Sequence, residues 1–194
     1  MRDLIKMVVV LTVICACSAL VLSFANQATR EQREYQVLKY VKEPSIKAVL
    51  TGYDNDPIKD RVTLKMGTDK KGKPIRKNIF PAKKGGKVIA LAYGSAATGY
   101  HGLIEVMVGI DINGKITGVS IMTHTETPGL GARVVEPAFT GQFKGLVLSD
   151  ALKVKKDGGK IDSVSGATFS SRGVVTAVRQ ALESFSKIKK EVIS

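Results

Sequence analysis

The sequence contains no tryptophan, and only two cysteines and two histidines among its 194 residues. Two cysteines cannot build a disulfide scaffold, and four Cys/His residues cannot build a zinc-finger array. Acidic residues are also few, 17 Asp+Glu against 30 Lys+Arg, which leaves a net charge of +13. A balance of that sign suits nucleic acid or an anionic membrane. Catalytic groups are sparse. His101 and His124 stand without the serine or cysteine arrangement of a triad. His124 and Glu126, two apart, would share one face of a strand, but two ligands do not make a metal site. A hydrolase or metalloenzyme is therefore a poor reading. What the chain does have is 44% hydrophobic residues, enough for one packed domain with little room for a second.

The N-terminus decides between the two uses of positive charge. Residues 7–25, MVVVLTVICACSALVLSFA, form an uncharged run. As a helix it would reach roughly 28 Å, close to the ~30 Å core of a bilayer. A retained anchor is the first reading. A cleaved signal peptide competes, because Ser23-Phe24-Ala25 resembles a cleavage site, but the run exceeds the usual ~7–15 apolar residues. A lipoprotein signal at Cys17 is third; the apolar residues that follow it are unlike a polar tether. Cys15 and Cys17 would point about 200° apart on a helix and cannot chelate one ion together. Basic residues flank the run on both sides, and charge counting does not orient a chain with a long following domain.

Beyond the run, Tyr35, Leu38 and Val41 predict a helix over 31–43, ended by Pro44 and continuing the anchor as a stalk. Residues 46–53 and 61–66 read as strands, with a turn at 54–57 between them. Residues 65–87 carry nine basic residues and one acid, Asp69, with Phe80 the only aromatic. A single-stranded nucleic-acid surface would interleave stacking rings, so the stretch reads as a solvated basic hairpin and loop, or as a surface for anionic lipid or an acidic partner. No nucleic acid is expected as a partner.

Residues 88–93 read as a strand and 94–102 as a glycine-spaced loop. Ile104, Val106, Val108, Ile110 and Ile112 then alternate strictly, followed by Asn113-Gly114. A type I′ turn there would set Ile112 opposite Lys115, Val108 opposite Val119 and Val106 opposite Ile121, joining apolar faces. After an irregular segment, HTETPGLG, a short helix is expected over 132–139. Val174, Val178, Ala181, Leu182 and Phe185 predict a final helix over 170–192, with lysines near its end.

The segment DSVSGATFSS, residues 162–171, leads into that helix. Amides at a helix N-terminus bind anions. Ser165, Ser170 and Ser171 offer further donors, and Gly166 permits close backbone approach. The alternative is an ordinary serine-rich helix cap.

DSVSGAT resembles the flavinylation motif D-x-x-[ST]-G-A-T of the FMN-binding domain family. GYHGLIEVMVGID at 99–111, THTETPGLGAR at 123–133 and the N-terminal run resemble the G subunits of Rnf electron-transport complexes, and more distantly the longer C subunits of sodium-pumping NADH:quinone reductases. The resemblance implies an α+β fold, an antiparallel sheet with flanking helices, behind one transmembrane helix. It divides the chain into an anchor (1–28), a helical stalk (29–45) and an FMN-binding domain (46–194). It implies FMN joined to Thr168 by a phosphoester, with Asp162 at the leading acidic position of the motif and Ser165, Gly166, Ala167, Ser170 and Ser171 around the attachment. The remaining phosphodiester charge would face amide donors and Arg172. Glu126, Thr127, Gly129, Leu130 and Gly131 are expected beside the flavin ring. Flavin carries the redox step itself, which accounts for the lack of an acid–base pair.

The function so implied is electron relay in an ion-translocating ferredoxin:NAD oxidoreductase. Its partners would be other membrane subunits, a flavin transferase and membrane lipid, with the domain on the outer side of the cytoplasmic membrane. Two rivals are a non-redox lipid- or partner-binding domain, and another flavinylated membrane carrier.

Overall fold

The structure, a computed structural model, describes residues 1–68 and 74–193. Lys70, Lys71 and Lys73 of the basic stretch lie outside the described residues. The chain forms two compact units, Met1–Tyr40 and a second beginning at Val41.

In the first unit, helix α1 (Arg2–Ala28) is long and apolar enough to cross a membrane, and none of its residues is buried by protein. Helix α2 (Arg30–Gln36) follows, and Val37–Lys42, which runs past the end of this unit at Tyr40, winds as a π-helix.

The second unit is built on a five-stranded antiparallel meander. Its strands are β1 (Val62–Thr68), β2 (Pro74–Lys84), β3 (Lys87–Thr98), β4 (Leu103–Asp111) and β5 (Ile116–Thr123), adjacent in sequence order. Strand alternation gives the sheet two apolar faces. Ile104, Val106, Val108 and Ile110 of β4 join Leu91 and Tyr93 of β3 in a core closed by the long C-terminal helix α5 (Thr168–Ile193). Val174, Ala177, Val178, Ala181 and Leu182 recur at helical spacing on its buried stripe. Tyr93 is fully buried there; its hydroxyl donates to Ala181 O at 2.8 Å, and burial pushes the phenol well above its ordinary pKa.

The second face is covered by helix α3 (Glu43–Val49), where a strand over 46–53 was expected. Pro44, expected to end a helix, lies in the first turn of this one. A helix leaves its first amides unbonded, so a residue without an N–H costs nothing there. Ile46, Val49 and Leu50 form the stripe that meets β4 and β5, and Thr117 Oγ1 donates to Val49 O at 2.6 Å. The contact is close because Gly118 has no side chain; a Cβ there would stand 2.9 Å from Val49 Cα. The turn expected at 54–57 falls three residues later, at 57–60, behind Asp56, whose Oδ1 accepts from the Ile58 amide at 3.0 Å.

The β4–β5 register matches expectation at Val106↔Ile121 and Val108↔Val119, but the turn does not. Asp111, not Ile112, closes it. The Gly114 amide bonds to Asp111 O, the Asp111 amide bonds to Lys115 O, and Asp111 Oδ1 accepts from the amides of Asn113 and Lys115. Only Gly114 adopts positive φ, at 84°, whereas a type I′ turn needs two such residues. The register shifts between Gly109 and Ile110, which restores the expected pairing further along.

β3 runs five residues past its expected end. Gly94–Thr98 pairs with Leu103–Met107, so the loop shrinks to residues 99–102, closed by the Gly99 amide on Gly102 O at 2.7 Å. The helix expected over 132–139 is two pieces, a 3₁₀ turn (Gly131–Val135) and α4 (Pro137–Thr140). They break at Glu136, which is extended as a residue before proline tends to be. α5 begins at Thr168, two residues before its expected start.

Candidate functional site

The start of α5 is built by a tight turn. The Ala167 amide bonds to Val164 O at 3.0 Å, and Gly166 takes φ 74°, the third-position geometry of a type II turn. Beyond the strain of that φ, a Cβ on Gly166 would stand 2.7 Å from Leu130 Cδ1. The Ser171 amide makes the first backward bond, to Ala167 O at 3.0 Å. The amides of Thr168, Phe169 and Ser170 precede it and have no acceptor within the helix.

The expected serine donors divide. Ser171 is fully buried; its hydroxyl donates to Ala167 O and accepts from the Val164 amide, so it fastens the lead-in rather than facing a ligand. Ser170 Oγ donates to Glu126 Oε2 at 2.6 Å. Ser165 is exposed.

Glu126 is the hinge of the site's floor. Only 4% exposed, it takes the Ser170 hydroxyl on one oxygen and the amides of Tyr100 (2.9 Å) and His101 (3.2 Å) on the other. One carboxylate thus joins the 99–102 loop, its own loop and the helix start. Gly131 permits this crowding, since a Cβ there would stand 2.7 Å from Ser170 Oγ and 2.8 Å from Glu126 Oε2.

Above this floor lies a cleft of about 250 Å³. The 126–131 loop contributes Glu126, Thr127, Leu130 and Gly131 to it, and the helix lead-in contributes Gly166, Ala167 and Ser170. Gly129, Ser165, Ser171 and Asp162 are not in its lining. Two aromatics that were not among the expected residues complete it: Tyr100 and Phe169, 67% and 61% exposed, with ring centroids 6.2 Å apart. Rings set among small residues were a readable signal, in GYHG and in GATF. A larger groove, about 1000 Å³, lies between Ile112, Val147, Leu148 and Lys189 near the other end of α5 and includes none of the motif.

Thr168 stands between the cleft residues Ala167 and Phe169. Its hydroxyl accepts from Lys156 Nζ at 3.2 Å. Arg172, expected to face a phosphate, instead makes a two-toothed ion pair with Asp157, at 2.8 and 2.6 Å. That pairing holds the Asp157 carboxyl below its usual pKa and raises the Arg172 guanidinium. Asp162 pairs with Lys155 at 2.7 Å. The arrangement suits a ligand with an anionic end at the helix start and a flat apolar body between Tyr100, Phe169 and Leu130.

Residues 99–183 match the FMN-binding domain family. The G subunit of the ion-translocating oxidoreductase complex of Methanosarcina acetivorans is 31% identical over 94% of this chain and 94% of its own length. The chain belongs to this G-subunit family. The counterpart from Stutzerimonas stutzeri is 33% identical over 89% of this chain and 77% of that one. The G subunit of the proton-translocating ferredoxin:NAD(+) oxidoreductase complex of Clostridium ljungdahlii is 40% identical over a shorter part, 56% of this chain and 60% of its own. In fold, this member of the G-subunit family resembles Shewanella oneidensis NqrC, with a TM-score of 0.53 at 23% identity over 81% of this chain and 76% of that one. The expected α+β architecture is thus seen both in the sheet and in a solved relative.

Proposed function

We propose that this chain is a membrane-anchored flavoprotein that relays electrons within an Rnf-type ion-translocating ferredoxin:NAD oxidoreductase, with FMN ester-linked to Thr168. The observation that carries the reading is Thr168 itself: it begins α5 beside a cleft edged by exposed rings, within the segment that matches the FMN-binding domain family. When bound, the flavin supplies the electron-accepting and electron-donating chemistry. The chain's own residues bind and orient. Thr168 Oγ1 is the attachment point, and the first amides of α5 meet the anionic end. Tyr100, Phe169 and Leu130 bound the ring, and Glu126 holds their loops together without touching the redox step. Asp162 presents the motif to a flavin transferase.

Thr168→Val removes the hydroxyl and keeps the shape. The variant should lose all in-gel flavin fluorescence after denaturing electrophoresis while melting within about 1 kcal/mol of the parent. A fluorescent variant band would refute the attachment site.

On this reading α1 is the anchor, α2 belongs to a stalk, and the second unit is the FMN-binding domain on the outer side of the cytoplasmic membrane. The basic residues of 65–87 dock other membrane subunits or anionic lipid. With Cys15 and Cys17 changed to serine, a cysteine at exposed position 160 should react with a membrane-impermeant thiol reagent in intact spheroplasts. Reaction only after lysis would reverse the orientation.

A further inference from the structure

The 3₁₀ turn Lys155–Asp157 lies against the motif, and each of its three residues reaches a different part of it. Lys155 Nζ pairs with Asp162, Lys156 Nζ donates to Thr168 Oγ1, and Asp157 takes the Arg172 guanidinium. Two of the three cations here are therefore neutralised by carboxylates at 2.6–2.7 Å. Among the described residues Lys156 is not: its partner is the neutral hydroxyl of Thr168, at 3.2 Å. Its charge stands beside the one oxygen that the proposed modification esterifies.

We infer that Lys156 is the positioning residue for flavin attachment: it holds the Thr168 hydroxyl for phosphoryl transfer and compensates the charge of the phosphodiester that results. This rests on the reading of Thr168 given above. A hydroxyl that accepts from an ammonium is fixed in rotamer and loses electron density, so its own proton is more readily surrendered. In the transfer, an O–P bond forms at Thr168 Oγ1, and the hydroxyl proton passes to the transferase or water. The phosphoanhydride of a flavin dinucleotide breaks, and its other half leaves as a nucleoside monophosphate. Nothing is oxidised or reduced. The product carries one negative charge bonded to the oxygen beside Lys156, where a neutral–cation hydrogen bond becomes a charge–charge contact. The paired neighbours cannot take this part without giving up their carboxylates. Arg172 in particular would leave Asp157 unpaired at the base of the turn.

The test is the rate at which the full-length chain in detergent gains flavin mass when supplied with transferase and flavin dinucleotide, read by intact mass spectrometry. Lys156→Gln should be modified about three- to tenfold more slowly, with an unchanged melting temperature, because the lost contact is exposed. Lys156→Arg, which keeps charge and donors, should recover to within about twofold. Lys160→Gln removes a like charge from the same segment without reaching Thr168, and should match the parent. If the parent gains no flavin mass, the reading of Thr168 fails. If the parent is modified, three results overturn the role of Lys156 alone: a glutamine variant as fast as the parent, an arginine variant as slow as the glutamine, or a Lys160→Gln variant equally slow.

Discussion

The two sides of the α5 start are held by opposite means. Inside, Glu126 is 4% exposed and its carboxylate is saturated by two amides and a hydroxyl from segments far apart in sequence. Outside, Lys155–Asp162 and Asp157–Arg172 are ion pairs whose side chains remain between about a third and two thirds exposed. A buried carboxylate with its acceptor sites filled is costly to disturb, because every donor it leaves behind is cut off from water. An exposed pair is replaced by water and ions at little cost. Stability and chemistry are thereby separated across one turn of helix: the inner side sets where Thr168 stands, and the outer side sets what surrounds its oxygen.

The largest effect should come from the inner side. Glu126→Ala leaves the Tyr100 and His101 amides and the Ser170 hydroxyl without their acceptor. We expect a loss of about 2–3 kcal/mol in unfolding free energy, measured by denaturant titration of the detergent-solubilised chain. Ser170→Ala removes one arm only and should cost about 1–2 kcal/mol. The double variant should fall short of the sum, since both changes break the same bond. Additive losses would mean that Glu126 and Ser170 act separately and that the carboxylate does not couple the 99–102 loop to α5.

The same contrast explains what was legible in the sequence. Thr168 and the residues of SGAT are contiguous, so their place at a helix start could be read directly. The β4–β5 register was legible because Val106, Val108, Val119 and Ile121 alternate in step. Its turn was not, because the Asp111 side chain, outside the Asn-Gly pair, bonds two amides of the turn. Residues 46–53 misled for a different reason. Apolar residues at 46, 49 and 50 fit a short helix as well as a strand, and only the glycines at 109 and 118, some sixty residues later, make room for the helix. Gly94–Thr98 looked like a loop because its residues are small, yet Ser95 and Ala97 are buried in the sheet. Lys156 lies twelve residues before Thr168, among several other lysines. Only the fold singles it out, by pairing its neighbours with carboxylates and setting it on a hydroxyl.

The smallest effect should come from the outer ion pair, and its dependence on pH has a definite sign. In the folded chain the Asp157 carboxyl lies below its ordinary value, chiefly through the hydrogen bond from Arg172. The ionised form is therefore favoured by folding. The stability this provides is fully present above the unfolded carboxyl pKa, about 3.9, and is lost as pH falls through the lower folded value. Arg172 stays charged throughout. From about pH 5 to 8, parent and Asp157→Asn should run parallel, the variant slightly less stable, and their curves should converge below about pH 4 as the parent's carboxyl is protonated. Salt should shrink the gap, since screening acts over about 10 Å at 0.1 M. Thermal melts across pH at low and high salt make the measurement. A gap as large as that of Glu126→Ala, or one that survives at about pH 2, would show that Asp157 acts as a structural clamp like the buried carboxylate. The division between an inner side that holds and an outer side that tunes would then fail.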